Sequence, residues 1–186
     1  MQAARPRMNY HQLRRLPDDG RRYELHDGVL SEVPSPRPRH QRVVQHVQEV
    51  LLAYERSAGG LVLVSPMDVV LSAHDVVQPD VMFLTREQAD GLDLDAPIRL
   101  PPALCVEVLS ASTEAVDRGW KLRMLARFGV GEYWLVDTED GTIERYTRDA
   151  VDADRFVLDA VVSADDTMTS RALADLQFPA RAVFEK

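Results

Sequence analysis

Two acidic residues lie in apolar, strand-like runs, and an unusual lysine follows them along the chain. Asp80 begins the run "DVMFL", and Glu107 lies inside "ALCVEVLS". A carboxylate in a buried strand carries a large desolvation cost unless a cation, an arginine or a set of hydrogen-bond donors compensates it. Lys121 is one of only two lysines among 22 basic residues, the other being the terminal Lys186. A compact ammonium with an adjustable pKa is something that arginine cannot supply.

These three residues together suggest hydrolysis of a phosphodiester. Carboxylate oxygens suit a hard cation such as Mg²⁺, which takes one or two protein carboxylates and keeps several waters. Such an ion polarises a phosphoryl oxygen, and a nearby ammonium orients water or neutralises developing charge. Taken singly, either acid could equally be half of an ion pair or a strand end that faces water.

The composition is that of an ordinary globular protein of one domain. The chain has 186 residues, 45% hydrophobic and 28% charged. No run approaches the roughly 18 apolar residues that a membrane span needs, and the N-terminus lacks the apolar stretch of a secretory signal. A single cysteine, Cys105, excludes an intramolecular disulfide, so a reducing cytoplasm is expected.

The charge is uneven along the chain. A net charge of −8 argues against coating nucleic acid by bulk electrostatics. Residues 1–42 nevertheless hold nine arginines against five acids, a net of +4, which leaves −12 for the remainder. A basic face on an acidic body is therefore compatible with the sequence.

The hydrophobic pattern predicts a mixed α/β fold. Residues 1–22 are expected to form an arm or a short helix, and residues 23–186 a single domain. "YELHDGVLSEV" predicts a hairpin, because Asp27-Gly28 favours a type I′ turn. The valines from Val43 onward form one apolar stripe, which predicts a helix that ends at Gly59-Gly60.

The rest of the chain predicts more strands and a second long helix. Three short apolar runs follow the first helix, and "ALCVEVLS" suits a strand buried in the middle of a sheet. A helix is expected from Ser112 or Thr113 to Phe128, with Gly129 as its stop. The remaining runs are interpreted as strands: "EYWLVD", "TIERYT", "RFVLDAVVS" and "ARAVF". We expect a mixed central sheet with helices on one or both faces.

Several motifs taken together resemble a known family. "QPD" at 78–80, "CVEVLSAST" at 105–113 and "DRGWKLRMLARFGVGEYWLVD" at 117–137 are similar to the Uma-two-like restriction endonucleases of the PD-(D/E)XK superfamily. "YELHDG" and "PRPRHQ" resemble the N-terminal half of the same family. No single motif is specific, but the ordered set is.

The resemblance implies a restriction-endonuclease-like fold, with Mg²⁺ or Mn²⁺ between Asp80 and Glu107 and with DNA as the substrate. The superfamily's usual lysine lies two residues after the acid, where this chain has Leu109. In the resembling family it comes from the next helix, at the position of Lys121. A tyrosine is common one turn beyond that lysine, and Leu125 stands there instead.

Further candidates accompany these residues. Glu24 matches an acid of the family and could instead point to solvent, while Asp117 could hold Lys121 or be a solvated neighbour, the latter slightly favoured. His40 could contact a phosphate, although a helix cap or a surface position is the preferred interpretation. Arg37, Arg39 and Arg42 are candidate phosphate contacts. Such nucleases often dimerise, so a homodimer is compatible with the resemblance.

Two alternatives remain open at this point. The chain could be a degenerate nuclease fold that serves as a nucleic-acid or protein interaction module, with Asp80 and Glu107 paired to arginines. It could also be a phosphodiesterase of small nucleotides, which shares the metal chemistry and differs in the shape of its pocket.

Overall fold

The computed structural model describes residues 7–149 and 154–184. Its helices are α1 Tyr10–Leu13, α2 Pro38–Ala58, α3 Arg86–Asp90, α4 Glu114–Val116, a π-helical turn Asp117–Lys121, α5 Leu122–Arg127 and α6 Arg181–Phe184. Its strands are β1 Arg22–His26, β2 Val29–Val33, β3 Leu61–Val64, β4 Val69–Val70, β5 Val76–Val77, β6 Val81–Leu84, β7 Leu104–Val108, β8 Glu132–Asp137, β9 Thr142–Arg148, β10 Phe156–Ser163, β11 Thr167–Thr169 and β12 Gln177–Pro179.

A six-stranded mixed sheet forms the centre of the fold. Its strand order is β10-β9-β8-β7-β6-β3, in which β7 and β8 are parallel and the other neighbours antiparallel. All five residues of β7 are buried, as its continuous apolar run predicts. The predicted α/β class with a mixed central sheet is confirmed.

A smaller, four-stranded sheet stands beside the central one, in the order β2-β1-β5-β4. The predicted hairpin is its β1–β2 pair, and both turn residues have positive φ, 52° at Asp27 and 79° at Gly28. These values agree with a type I′ turn. β5 was not expected from the sequence, because a two-residue strand leaves no periodic signal.

Helices cover both faces of the central sheet. On one face α2 packs through a stripe of valines and Leu51, and Gly59 ends the helix with a φ of 77°. On the other face α5 buries Met124, Leu125 and Ala126 together with residues of the smaller sheet. Among the described helices, none is long and apolar enough to cross a membrane.

The second predicted helix contains a wide turn. Residues 114–127 are helical without a break, and Gly129 follows with a φ of 87°, in agreement with the expected boundaries. The π-helical geometry of Asp117–Lys121 was not predicted, because the apolar pattern reports a helix but not its local pitch. Single π turns of this kind often occur at functional sites.

The C-terminal end differs from the prediction. Residues 181–184, expected as part of a strand, form the helical turn α6, and the chain before it makes the small β11–β12 hairpin. Such a short apolar run cannot distinguish a strand from a helical turn by periodicity. Tertiary packing decides here, because Val183 is buried in the core beside α2.

Candidate active site

The sheet register brings Asp80 beside Glu107. Val81 of β6 pairs with Val106 of β7, so the residue before Val81 neighbours the residue after Val106. The two acids lie at the same end of adjacent antiparallel strands. Both line a cavity of about 410 Å³.

Lys121 projects from the π turn onto the same cavity and meets three carboxylates. Its Nζ lies 2.7 Å from Glu107 Oε1, 3.2 Å from Glu24 Oε1 and 3.5 Å from Asp117 Oδ1. The lysine is only 5% exposed. Three donors on one ammonium therefore face three acceptors, which fixes the side chain more firmly than a single ion pair would.

Asp117 belongs to this cluster, so its interpretation as a solvated neighbour is wrong. Its side chain is buried and lies on the inner face of the π turn, one turn before Lys121. Helical spacing predicted that the two side chains share a face, but only tertiary packing shows that this face is covered.

Glu24 is also turned inward and is 3% exposed, so the alternative of a solvent-facing hairpin residue does not hold. Its Oε1 accepts a hydrogen bond from the backbone N–H of Gln78 at 2.7 Å, and its Oε2 lies 3.0 Å from His26 Nε2. Gln78 stands two residues before Asp80. Glu24 therefore connects the smaller sheet to both Asp80 and Lys121.

Asp80 is held by two groups on one of its oxygens. Oδ2 accepts a hydrogen bond from the backbone N–H of Val108 at 2.9 Å and lies 3.1 Å from His40 Nε2. The interpretation of His40 as a helix cap or surface residue is wrong, because α2 has Arg37 at its N-cap and the His40 ring turns to Asp80. His40 Nδ1 is buried and has no hydrogen-bond partner among the described residues.

The electrostatics keep Lys121 charged. Burial alone would lower the pKa of its ammonium, but the three surrounding carboxylates outweigh burial and hold that pKa well above its ordinary value. For Glu24, burial opposes ionisation, yet Lys121 and the hydrogen bonds from His26 and Gln78 lower its pKa to about 2.

Glu107 and Asp117 shift in the opposite direction. Burial raises the pKa of the Glu107 carboxyl well above its ordinary value, and Lys121 does not cancel that effect because other carboxylates stand close by. Burial likewise raises the pKa of Asp117. Burial and the neighbouring carboxylates therefore both oppose ionisation of Glu107 and Asp117.

The donor set fits a hard divalent cation that keeps most of its waters. Asp80 Oδ1 and Glu107 Oε2 have no hydrogen-bond partner among the described residues, so each acid retains one oxygen for a ligand. Within residues 7–149 and 154–184, no group of three or more His, Cys, Asp or Glu side chains could hold a metal ion. Two carboxylates without a closed cage match the preference of Mg²⁺ rather than that of Ca²⁺ or Zn²⁺.

Arginines lie around the mouth of the cavity. Arg37 and Arg39 line it, whereas Arg42 does not and instead donates a hydrogen bond to Gln45 on the surface of α2. Arg22, which the sequence did not single out, also lines the cavity. Alternation along β1 could have found it, because Arg22 and Glu24 share one face of that strand.

Leu125, which replaces the family's tyrosine, does not line the cavity. It is fully buried in the core between α5 and the sheet. A tyrosine hydroxyl at this position would therefore have to displace core packing. The substitution leaves the contacts of Lys121 intact.

Two comparisons relate the chain to known proteins. The family model "Uma2: Putative restriction endonuclease" matches residues 9–181. The crystal structure of a putative nuclease belonging to DUF820 from Anabaena variabilis ATCC 29413 superimposes with a TM-score of 0.76 at 14% identity, covering 95% of this chain and 97% of that chain. No curated protein matches. With nearly its whole described length matched by one family model, the chain belongs to the Uma2 family of putative restriction endonucleases.

Proposed function

We propose that this protein is a metal-dependent endonuclease that hydrolyses phosphodiester bonds, with DNA as its substrate and Mg²⁺ or Mn²⁺ as its cofactor. The observation that carries the proposal is the pair Asp80 and Glu107, each with one uncommitted oxygen, beside a buried lysine in one cavity. The family and the fold support a nuclease in general. The family resemblance of the sequence implies the same three residues, with the lysine supplied by the helix after β7.

In this proposal, each residue has a distinct role. Asp80 and Glu107 hold the cation, which when bound supplies Lewis-acid polarisation of a phosphoryl oxygen. Lys121 stays protonated, so it contributes positive charge beside the attacking water and not a base. Glu24 and Asp117 keep the ammonium in place, while His40 and the Val108 N–H orient Asp80.

The distribution of charge favours a polyanionic substrate. Carboxylates form the buried floor of the cavity, and Arg22, Arg37 and Arg39 add positive charge along its lining. A phosphodiester chain needs cationic contacts for the phosphates that flank the cleaved one, and arginine provides them. This arrangement supports a nucleic acid over a small nucleotide, which has no further phosphodiesters on either side of the cleaved one.

The alternative of a catalytically degenerate interaction module requires the two acids to be paired with arginines. Among the described ion pairs, Asp80 contacts His40 and Glu107 contacts Lys121, and neither contacts an arginine. This observation disfavours the alternative. A homodimer and a cytoplasmic location remain predictions.

A metal titration tests the proposal first. Isothermal calorimetry with Mn²⁺ should give saturable binding to the wild type, and Asp80→Asn/Glu107→Gln should abolish it. The matched control is Glu87→Gln/Asp90→Asn, which removes the same two charges from the exposed helix α3 and should bind Mn²⁺ like the wild type.

Cleavage of DNA oligonucleotides and of a circular plasmid then tests the activity. The wild type with Mn²⁺ should nick or cut the DNA, and Lys121→Met should not, although it still binds the metal. If the wild type binds no Mn²⁺, or if the double variant binds it equally well, the proposed metal site is refuted.

A further inference from the structure

We propose that His26 and Trp120 are positioning residues that fix Glu24 and Lys121 for phosphodiester hydrolysis. This inference rests on the proposed function and extends it to two aromatic rings outside the set of carboxylates. Neither ring touches the two acids assigned to the metal. Both act through a residue that contacts Lys121 or through Lys121 itself.

His26 fixes the orientation of Glu24. The two residues stand on the same face of β1, and His26 Nε2 lies 3.0 Å from Glu24 Oε2 with the imidazole only 12% exposed. Because an ionised carboxylate can only accept, the imidazole N–H donates in this contact. With Oε2 held in this way, Oε1 is left to meet Lys121 and the backbone N–H of Gln78.

Trp120 fixes the π turn that carries Lys121. Its indole stacks on the His26 imidazole with ring centroids 3.8 Å apart and an interplanar angle of 18°. Trp120 immediately precedes Lys121, so the stack holds the residue next to the ammonium. The contact spans two parts of the fold, because β1 belongs to the smaller sheet and the π turn follows β7 of the central sheet.

The wide turn makes such a support necessary. A π turn is rare and occurs mostly as a single turn inside an α-helix, so its surroundings must favour it over the ordinary helical pitch. The stack supports the turn at Trp120, and the Lys121–carboxylate contacts support it at the next residue. Without the stack, the turn could relax toward an α-helix, which would rotate Lys121 away from Glu107.

The presence of only two lysines makes the inference directly testable. In protein labelled with ¹⁵N-lysine, the side-chain signals come from Lys121 and Lys186 alone. Buried and hydrogen-bonded to carboxylates, the Lys121 ammonium should give a separate, slowly exchanging signal. Trp120→Leu and His26→Leu should shift and broaden this signal, whereas Trp120→Phe, which keeps a stacking ring, should restore it.

His74→Leu provides the matched control. The His74 ring also anchors the smaller sheet, through a contact of Nδ1 with the carbonyl oxygen of Met8, but among the described residues it makes no hydrogen bond or ring stack with Glu24, Trp120 or Lys121. His74→Leu should leave the Lys121 signal unchanged, although its loss of stability should be comparable to that of Trp120→Leu and His26→Leu. An unchanged signal in both leucine variants, a similar change in His74→Leu, or no slowly exchanging signal in the wild type would each overturn the inference.

Kinetics separate this inference from the proposed function. Trp120→Leu should lower kcat for DNA cleavage by roughly ten- to a hundredfold, as expected for a small misplacement of a reacting group, with KM and Mn²⁺ affinity within twofold. A loss of Mn²⁺ binding in this variant would contradict a positioning role. If the wild type neither binds Mn²⁺ nor cleaves DNA, the proposed function fails, while the ammonium signal still decides whether the rings position Lys121.

Discussion

Two buried glutamates in neighbouring strands, Glu107 of β7 and Glu132 of β8, have opposite surroundings. Glu132 is fully buried and accepts hydrogen bonds from Trp134 Nε1, Ser170 Oγ and the backbone N–H groups of Arg171 and Ala172. Glu107 is 5% exposed, has Lys121 as its partner and stands among other carboxylates. Burial is similar, but the supply of donors differs.

This difference separates a structural carboxylate from a candidate functional one. Neutral donors on both oxygens of Glu132 tie the segment 169–173 to the central sheet and leave little for a ligand to gain. Glu107 has one oxygen without a partner among the described residues and a neighbourhood that repels its charge. A cation would relieve that repulsion, so the incomplete compensation of Glu107 is what makes it suited to binding.

The largest effect is expected at the structural glutamate. Glu132→Ala removes the acceptor of several buried donors, so the free energy of unfolding should fall by about 3–5 kcal/mol. Urea denaturation followed by circular dichroism measures this loss. A loss below about 1 kcal/mol would contradict the structural role of Glu132.

Glu107→Gln should mainly reduce activity, whereas Glu132→Ala mainly reduces stability. DNA cleavage should fall by about a hundredfold or more, and Mn²⁺ affinity should fall with it, because one of the two carboxylates proposed to hold the metal is lost. At pH 4.5, where the Glu107 carboxyl is protonated in the folded protein, stability should change by no more than about 1 kcal/mol, because glutamine resembles the protonated acid. Full activity, or a collapse like that of Glu132→Ala, would erase the distinction between the two sites.

The pH dependence of stability sharpens the comparison. Because burial raises the pKa of Glu107 in the folded state, the folded protein binds more protons than the unfolded chain above pH 4.5. Stability due to this group therefore falls as the pH rises from 4.5 toward the raised pKa. In urea titrations, the free energy of unfolding of Glu107→Gln should therefore rise relative to that of the wild type between pH 5 and pH 8. A difference between the two proteins that stays constant with pH would contradict the raised pKa.

The smallest effect concerns the arginines near each glutamate. Arg39 lines the cavity of Glu107, whereas Arg171 has an exposed side chain near Glu132. Arg39→Gln should weaken binding of a DNA duplex by about 0.5–1 kcal/mol and reduce the salt dependence by about one phosphate contact. Arg171→Gln should change neither the DNA affinity nor its salt dependence. Fluorescence anisotropy in Ca²⁺ at two salt concentrations measures the DNA affinity and its salt dependence for both variants. Equal effects of the two substitutions would mean that the DNA does not bind at the cavity of Glu107.

Local sequence determined most of the secondary structure and the two chief acids. The Asp27-Gly28 turn, the stripe of α2 and the continuous apolar run of β7 each follow from short-range patterns. Asp80 and Glu107 stood out because each interrupts an apolar run. Glu132 did not stand out, because an acid at the first residue of a strand resembles a solvated end.

Tertiary structure alone decided which charges meet. Glu24, Asp117 and His40 had local patterns compatible with solvent. The packing of the smaller sheet and of α2 against the site buries the first two and turns the half-buried His40 toward Asp80. His26, Trp120 and the π turn left no readable signal, because a stack between distant residues and a change in helical pitch have no sequence period. The sequence supplied the chemistry of Lys121 and its local neighbour Asp117, but Glu24 and Glu107 come from strands of two different sheets, and only folding brings them to the ammonium.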